Sequence, residues 1–143
     1  MARTEPPRGA ARRVADAAMI ALLRRGLGPP GIHLLQTRGR RTGAVRTTPV
    51  SLVQDGDTRY LVSPYGTVAW VHNARAAGEV TLRRGRRAQT VPVTELGPEE
   101  SGPVLRRYVR EQRIVRPWFD ASPDDPPEAF AAEAARHPVF RLG

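Results

Sequence analysis

Cysteine is absent from the 143 residues. That removes disulfide frameworks, thiolate metal sites, iron–sulfur clusters and cysteine nucleophiles together. Lysine is absent too: all 23 basic residues are arginine. Histidine occurs only at positions 33, 72 and 137, with no HxH or HxxxH spacing, so no metal site is expected. No apolar run approaches the roughly 18 residues a membrane-spanning helix needs. No long apolar segment with a cleavage site opens the chain, so a cytoplasmic protein is expected. GxSxG and Walker-type GxxxxGK[ST] strings are missing as well.

What is present is positive charge, unevenly placed. Residues 1–94 carry 16 arginines against 5 acids, and residues 95–143 carry 7 against 9. The whole chain stands at +9. The absence of lysine, with abundant Arg, Ala, Gly and Pro, fits the coding bias of a G+C-rich genome. That bias does not explain where the arginines cluster. A basic face attracts polyanions: nucleic acid, anionic lipid or a phosphorylated small molecule.

Along the chain, residues 1–9 hold two adjacent prolines and a glycine and read as a disordered arm. A helix follows from Ala10, with Val14, Ala17, Ala18, Ala21 and Leu22 at helical spacing and the arginines off that stripe. It stops at Gly26 and Gly28 before Pro29-Pro30. Such a basic amphipathic helix suits either the mouth of a barrel or weak contact with an anionic membrane surface.

Residues 31–96 have strand texture. The apolar runs are Ile32–Thr37, Val45–Gln54 and Arg59–Ser63, the last following an Asp55-Gly56-Asp57 hairpin turn. Glu79–Arg83 and Ala88–Leu96 form a hairpin around Arg84-Gly85-Arg86, with Pro92 marking an edge or a bulge. Val68–Ala77 is a short helix between them. Residues 97–143 turn helical from Pro98 and again over Glu128–Arg136, then close with a strand at His137–Leu142. The pattern predicts one α+β domain over residues 10–143: a small antiparallel barrel with flanking N- and C-terminal helices.

The chemically informative stretch is Thr37–Pro49, TRGRRTGAVRTTP. Two glycines flank Arg40, Arg41 and Thr42, and Arg46 follows on the outgoing strand. Glycines permit a backbone nest of N–H groups, and guanidinium forks match phosphate geometry. The segment therefore reads as an anion cradle or as a solvated turn. The second cluster, Arg83-Arg84-Gly85-Arg86-Arg87, reads as a solvated hairpin tip. Neither cluster interleaves aromatics, which argues against nucleic acid.

Taken together, HLLQTRGRRTGAVRTTPV, DGDTRYLVSPYG and AWVHNARAAGEVTL resemble the deazaflavin-dependent nitroreductase family of mycobacteria and their relatives, over about Ile32–Val93. The resemblance implies a split β-barrel of the FMN-binding type and coenzyme F420 as cofactor, with FMN as the alternative. It implies hydride transfer to a small hydrophobic acceptor, such as a quinone, nitroaromatic or activated alkene, or else a non-catalytic flavin binder. By the same resemblance Arg40, Arg41, Thr42 and Arg46 meet the cofactor's phosphate. Thr47, Thr48, Pro49 and Val50 line its ring, with Val62, Ser63, Pro64 and Tyr65 on the next strand. Ala69, Trp70, Val71, His72 and Asn73 cover it. Tyr65, Ser63 and His72 are the candidate proton donors, Tyr65 foremost. Tyr108, Trp118 and Phe119 are candidates for the substrate-pocket wall. The chain departs from the nitroimidazole-reducing branch at Ser63-Pro64-Tyr65-Gly66 and in its C-terminal third, so that activity is not carried over. Monomer and homodimer both remain as expectations.

Overall fold

A computed structural model describes residues 2–143. Its strands are β1 (Ile32–Arg38), β2 (Val45–Asp55), β3 (Thr58–Val62), β4 (Glu79–Arg84), β5 (Arg87–Glu95) and β6 (Val139–Leu142). They close into one antiparallel barrel in the order β1-β2-β3-β6-β5-β4. The helices are α1 (Ala10–Arg24), α2 (Ala69–Ala77), α3 (Pro98–Glu111) and α4 (Pro127–Ala131), with 3-10 turns at Arg113–Trp118 and Ala134–Arg136. The α+β split barrel expected from the sequence is what the chain forms.

Two strands change partners, and this splits the barrel. β2 pairs with β1 through Ser51 and with β3 from Leu52. β5 pairs with β4 through Pro92 and with β6 from Val93. Pro92 thus sits at the crossover, where a missing N–H disturbs least. The β2–β3 and β4–β5 hairpins turn on Gly56 and Gly85, both at φ 60°, a conformation that glycine adopts without strain.

Apolar burial falls into two clusters. One fills the barrel with Leu35, Leu61, Val71, Val80, Leu82, Val91 and Phe140. The other lies between Val53, Val62 and Val139 of the strands and Leu105, Val109, Trp118, Phe119 and Phe130 of the C-terminal third. Gly102 lets α3 press on the start of α4: a Cβ there would stand 2.6 Å from the Pro127 carbonyl oxygen.

Two expectations are corrected. Residues 2–5 are not a loose arm. The Arg3 amide donates to the Pro117 carbonyl at 2.7 Å, and the Trp118 indole donates to the Glu5 carbonyl at 2.7 Å. Met1 lies outside the described residues. The stripe expected to face inward on α1 faces out instead, with Val14 69% exposed and Leu22 41%. The inner face is Arg12, Asp16, Met19, Ile20 and Leu23, at the same helical period rotated about the axis. Leu23, fully buried, anchors that face. The remainder of it is partly polar because it covers a cavity and not a core.

Candidate active site

The turn between β1 and β2 is held from outside by α2. Asn73 is 2% exposed, and its amide donates to the Thr37 hydroxyl at 3.3 Å. Its carbonyl oxygen accepts from the Arg40 backbone N–H at 3.3 Å and from the Arg40 guanidinium at 3.4 Å. Within the turn, the Gly39 amide donates to Ala44 O, the Gly43 amide to Gly39 O and the Ala44 amide to Thr42 Oγ1. Gly43 is at φ 73°. Most of the amides expected to form a nest are therefore used to build the turn. The cation cluster that the turn presents consists of exposed side chains: Arg40, Arg41 and, on β2, Arg46.

Beside this turn lies a cavity of about 520 Å³. Its floor is Thr47, Thr48, Pro49 and Val50 of β2, with Thr37 of β1 and Val62 of β3. Pro64, Tyr65, Val68, Ala69 and Trp70 form one side, and Arg46 stands at the edge. Tyr108 and Val115 close the far end. Burial pushes the Tyr108 phenol well above its ordinary range, and nearby Tyr65 adds to the rise, so Tyr108 is a neutral wall. Over the top lies α1, contributing Arg12, Asp16 and Met19, with Pro6 and Pro7 ahead of it.

The structure brings together Arg46, Thr47, Thr48, Pro49, Val50, Val62, Pro64, Tyr65, Ala69, Trp70 and Tyr108 around one space. It does not bring Ser63 there: Ser63 is fully buried and its hydroxyl donates to the Gly66 carbonyl. His72 is exposed on the outer side of α2, because successive helical residues point about a quarter-turn apart and Val71 takes the buried side. Val71 packs inside the barrel, and Asn73 is a strut for the turn. Arg40, Arg41 and Thr42 lie outside the cavity lining, on the turn next to it. Trp118 and Phe119 are core residues. Trp118 meets the Tyr65 ring edge-on at 4.9 Å, and Phe119 stacks on His137 at 3.9 Å. Both support the wall from behind.

Sequence reading missed α1 as a wall. The one signal was Arg12 and Asp16 four apart, an ion pair at 3.2 Å inside the apparent polar face. It also missed the support behind Pro64. His137 is 3% exposed, with Nδ1 2.9 Å from the Pro64 carbonyl oxygen and Nε2 2.9 Å from the Glu133 carboxylate. Burial pushes its pKa down against the pull of Glu133. Glu133, 4% exposed, also accepts from the Asp120 and Ala121 amides.

Among known proteins, the family model described as F420H(2)-dependent quinone reductase matches residues 11–117. The chain belongs to that family. No curated protein matches it. Solved structures share the fold at low identity. One described as a domain-swapped dimer has a TM-score of 0.58 at 18% identity, covering 94% of this chain and 100% of that one. An F420-H2 dependent reductase has a TM-score of 0.54 at 20% identity, covering 80% and 95%. An FAD-binding protein of Mesorhizobium loti has a TM-score of 0.50 at 14%, covering 88% and 86%.

For this member of the quinone reductase family, the choice between F420 and FMN falls to F420, and the protein is an F420H2-dependent reductase. The residues present fit that group. Pro49, Val50 and Trp70 give the cavity apolar lining that suits a tricyclic ring, Thr47 and Thr48 offer hydroxyls, and Arg46 with the adjacent turn suits an acidic end.

Proposed function

We propose that this reductase passes hydride to a small, flat, hydrophobic acceptor of the quinone class, with nitroaromatics and activated alkenes as secondary acceptors. The observation that carries the reading is a single cavity lined both by Thr47–Val50 of β2 and by the apolar side chains of Met19, Trp70, Ile114 and Val115. The first part takes the ring and the second takes the acceptor. When bound, F420H2 supplies the hydride. The chain's own residues do the rest. Arg46, with Arg40 and Arg41 beside it, holds the acidic end. α1 covers the slot and excludes water. The Tyr65 hydroxyl donates the proton to the reduced acceptor; Ser63 and His72 are turned away, which leaves Tyr65 as the candidate on that wall. Tyr65 is braced for this role by Trp118 at its edge and by the Arg12 guanidinium 5.8 Å from its ring centroid.

The outer face of α1 supports a location next to lipid, where hydrophobic quinones reside. Val14 and Leu22 are exposed there beside Arg13 and Arg24, and Leu27 is exposed just past the end of the helix. No helix among the described residues is long and apolar enough to cross a membrane. Of the monomer and homodimer, the homodimer is the assembly we propose, supported by the dimeric neighbour.

The test is steady-state oxidation of F420H2 with a soluble naphthoquinone, a nitroaromatic and no acceptor. Turnover is expected with the quinone first, and Tyr65→Phe should slow it about tenfold or more with F420 affinity kept. Tight F420 binding with no turnover on any acceptor would instead make this a carrier of the cofactor.

A further inference from the structure

A second recess opens at the β4–β5 hairpin end of the barrel, with a lining that shares no residue with the cofactor slot. It is lined by Arg25, His33, Arg59, Arg84, Arg86 and Arg87 around a cavity of about 720 Å³ floored by Leu82. Its lining contains no carboxylate. Among the described residues Arg25, Arg59, Arg86 and Arg87 make no ion pair. Like charges gathered this way repel one another, a cost that an anion between them removes.

The walls are built and not merely exposed. The Arg84 guanidinium donates to the carbonyls of Gly28, Pro29 and Ile32 at 2.7–2.8 Å, which fixes the chain leading into β1. The Gly85 amide donates to Leu23 O at 2.7 Å, and a Cβ on Gly85 would come within 3.1 Å of the Gly26 backbone. The hairpin tip is thus clamped against the end of α1. Arg59 is oriented by Gln89 at 3.0 Å. His33 lines the space, and its Nδ1 is enclosed without a hydrogen-bond partner. Burial pushes the imidazole's pKa down; the Gly31 carbonyl opposes this, while Arg59 and Arg84 add to it.

We propose that this recess is a second ligand site, taking a small soluble oligophosphate through its phosphate oxygens. Guanidinium forks from three segments, the end of α1, β3 and the β4–β5 hairpin, match tetrahedral oxyanions. No Phe, Tyr or Trp lines the cavity, so phosphate oxygens and not base faces are what the arginines are placed to meet. The recess is concave, which favours a compact anion over a flat lipid surface. An anion held there also gives His33 a reason to take up a proton, since it reverses the sign of the local field.

The test is a titration with inorganic tripolyphosphate, read from the carbon-bound proton signals of the His33 ring, assigned by their loss in His33→Gln. A saturable shift is expected, with the His33 pKa moving upward. The double variant Arg25→Gln, Arg87→Gln should bind about tenfold more weakly or worse. The charge-matched pair Arg13→Gln, Arg24→Gln, outside the cavity, should stay within about twofold. Arg86→Gln alone should show a smaller loss in the same direction. F420 should bind equally well with and without tripolyphosphate. The proposal is overturned by any of four results: no saturable shift, equal losses in both double variants, competition with F420, or response to phosphatidylglycerol vesicles with none to tripolyphosphate.

Discussion

The two arginine-rich turns stand at opposite ends of β1 and use the same residue for different ends. At the β1–β2 turn the backbone closes through glycine amides and the Asn73 side chain, so no guanidinium is needed to hold carbonyls in place there beyond Arg38 on Gly43. Arg41 and Arg46 are left facing solvent beside a slot. At the β4–β5 turn one arginine, Arg84, does the structural work by tying three carbonyls together. A run of arginines therefore says little until each side chain's partners are known: a guanidinium satisfied by carbonyls is a brace, and one without partners is a receptor for anions.

Substitutions should separate the two turns. The largest effect is expected at Arg84→Ala, which removes three charge-assisted hydrogen bonds from the segment entering β1, one of them part-buried at the Ile32 carbonyl. We expect a loss of about 2–4 kcal/mol in unfolding free energy, with F420 affinity unaltered in the protein that folds. Chemical denaturation beside an F420 titration would show this, and an undiminished stability would remove Arg84 as a brace. Asn73→Ala comes next. It leaves the Arg40 amide without its acceptor and should cost about 1–3 kcal/mol, with F420 binding weakened as well because the turn shifts. If only stability fell, the turn would have no part in binding. The smallest effect belongs to Arg86→Ala, exposed at the hairpin tip, which should change both stability and F420 affinity by about 0.5 kcal/mol or less.

Much of this was legible from residue order. Alternating Val and Thr, the Asp55-Gly56-Asp57 turn and the Gly78 stop placed the strands and α2 close to where they lie. The slot residues Thr47–Val50, with Tyr65 and Trp70, were legible through resemblance. The facing of α1 was not, because the wholly apolar stripe faces out, while the inner face carries Arg12 and Asp16 beside Met19, Ile20 and Leu23 over the cavity. The loss of Ser63 and His72 as candidate donors was equally hidden. Strand and helix direction decides which way a side chain points, and neighbours in sequence point apart. Nor did sequence show that Trp118 and Phe119 brace the wall from behind, since their partners, Tyr65 and His137, come from distant segments.

The most direct test of the central claim, that the acidic end of F420 is held at the Arg46 edge of the slot, is a fluorescence titration of F420 into the wild type, Arg46→Ala and Arg86→Ala. The account predicts a loss of about 1.5–3 kcal/mol for Arg46→Ala, the wild-type affinity for Arg86→Ala, and the same melting temperature in all three. Equal affinities across the set, or a greater loss at Arg86, would contradict it.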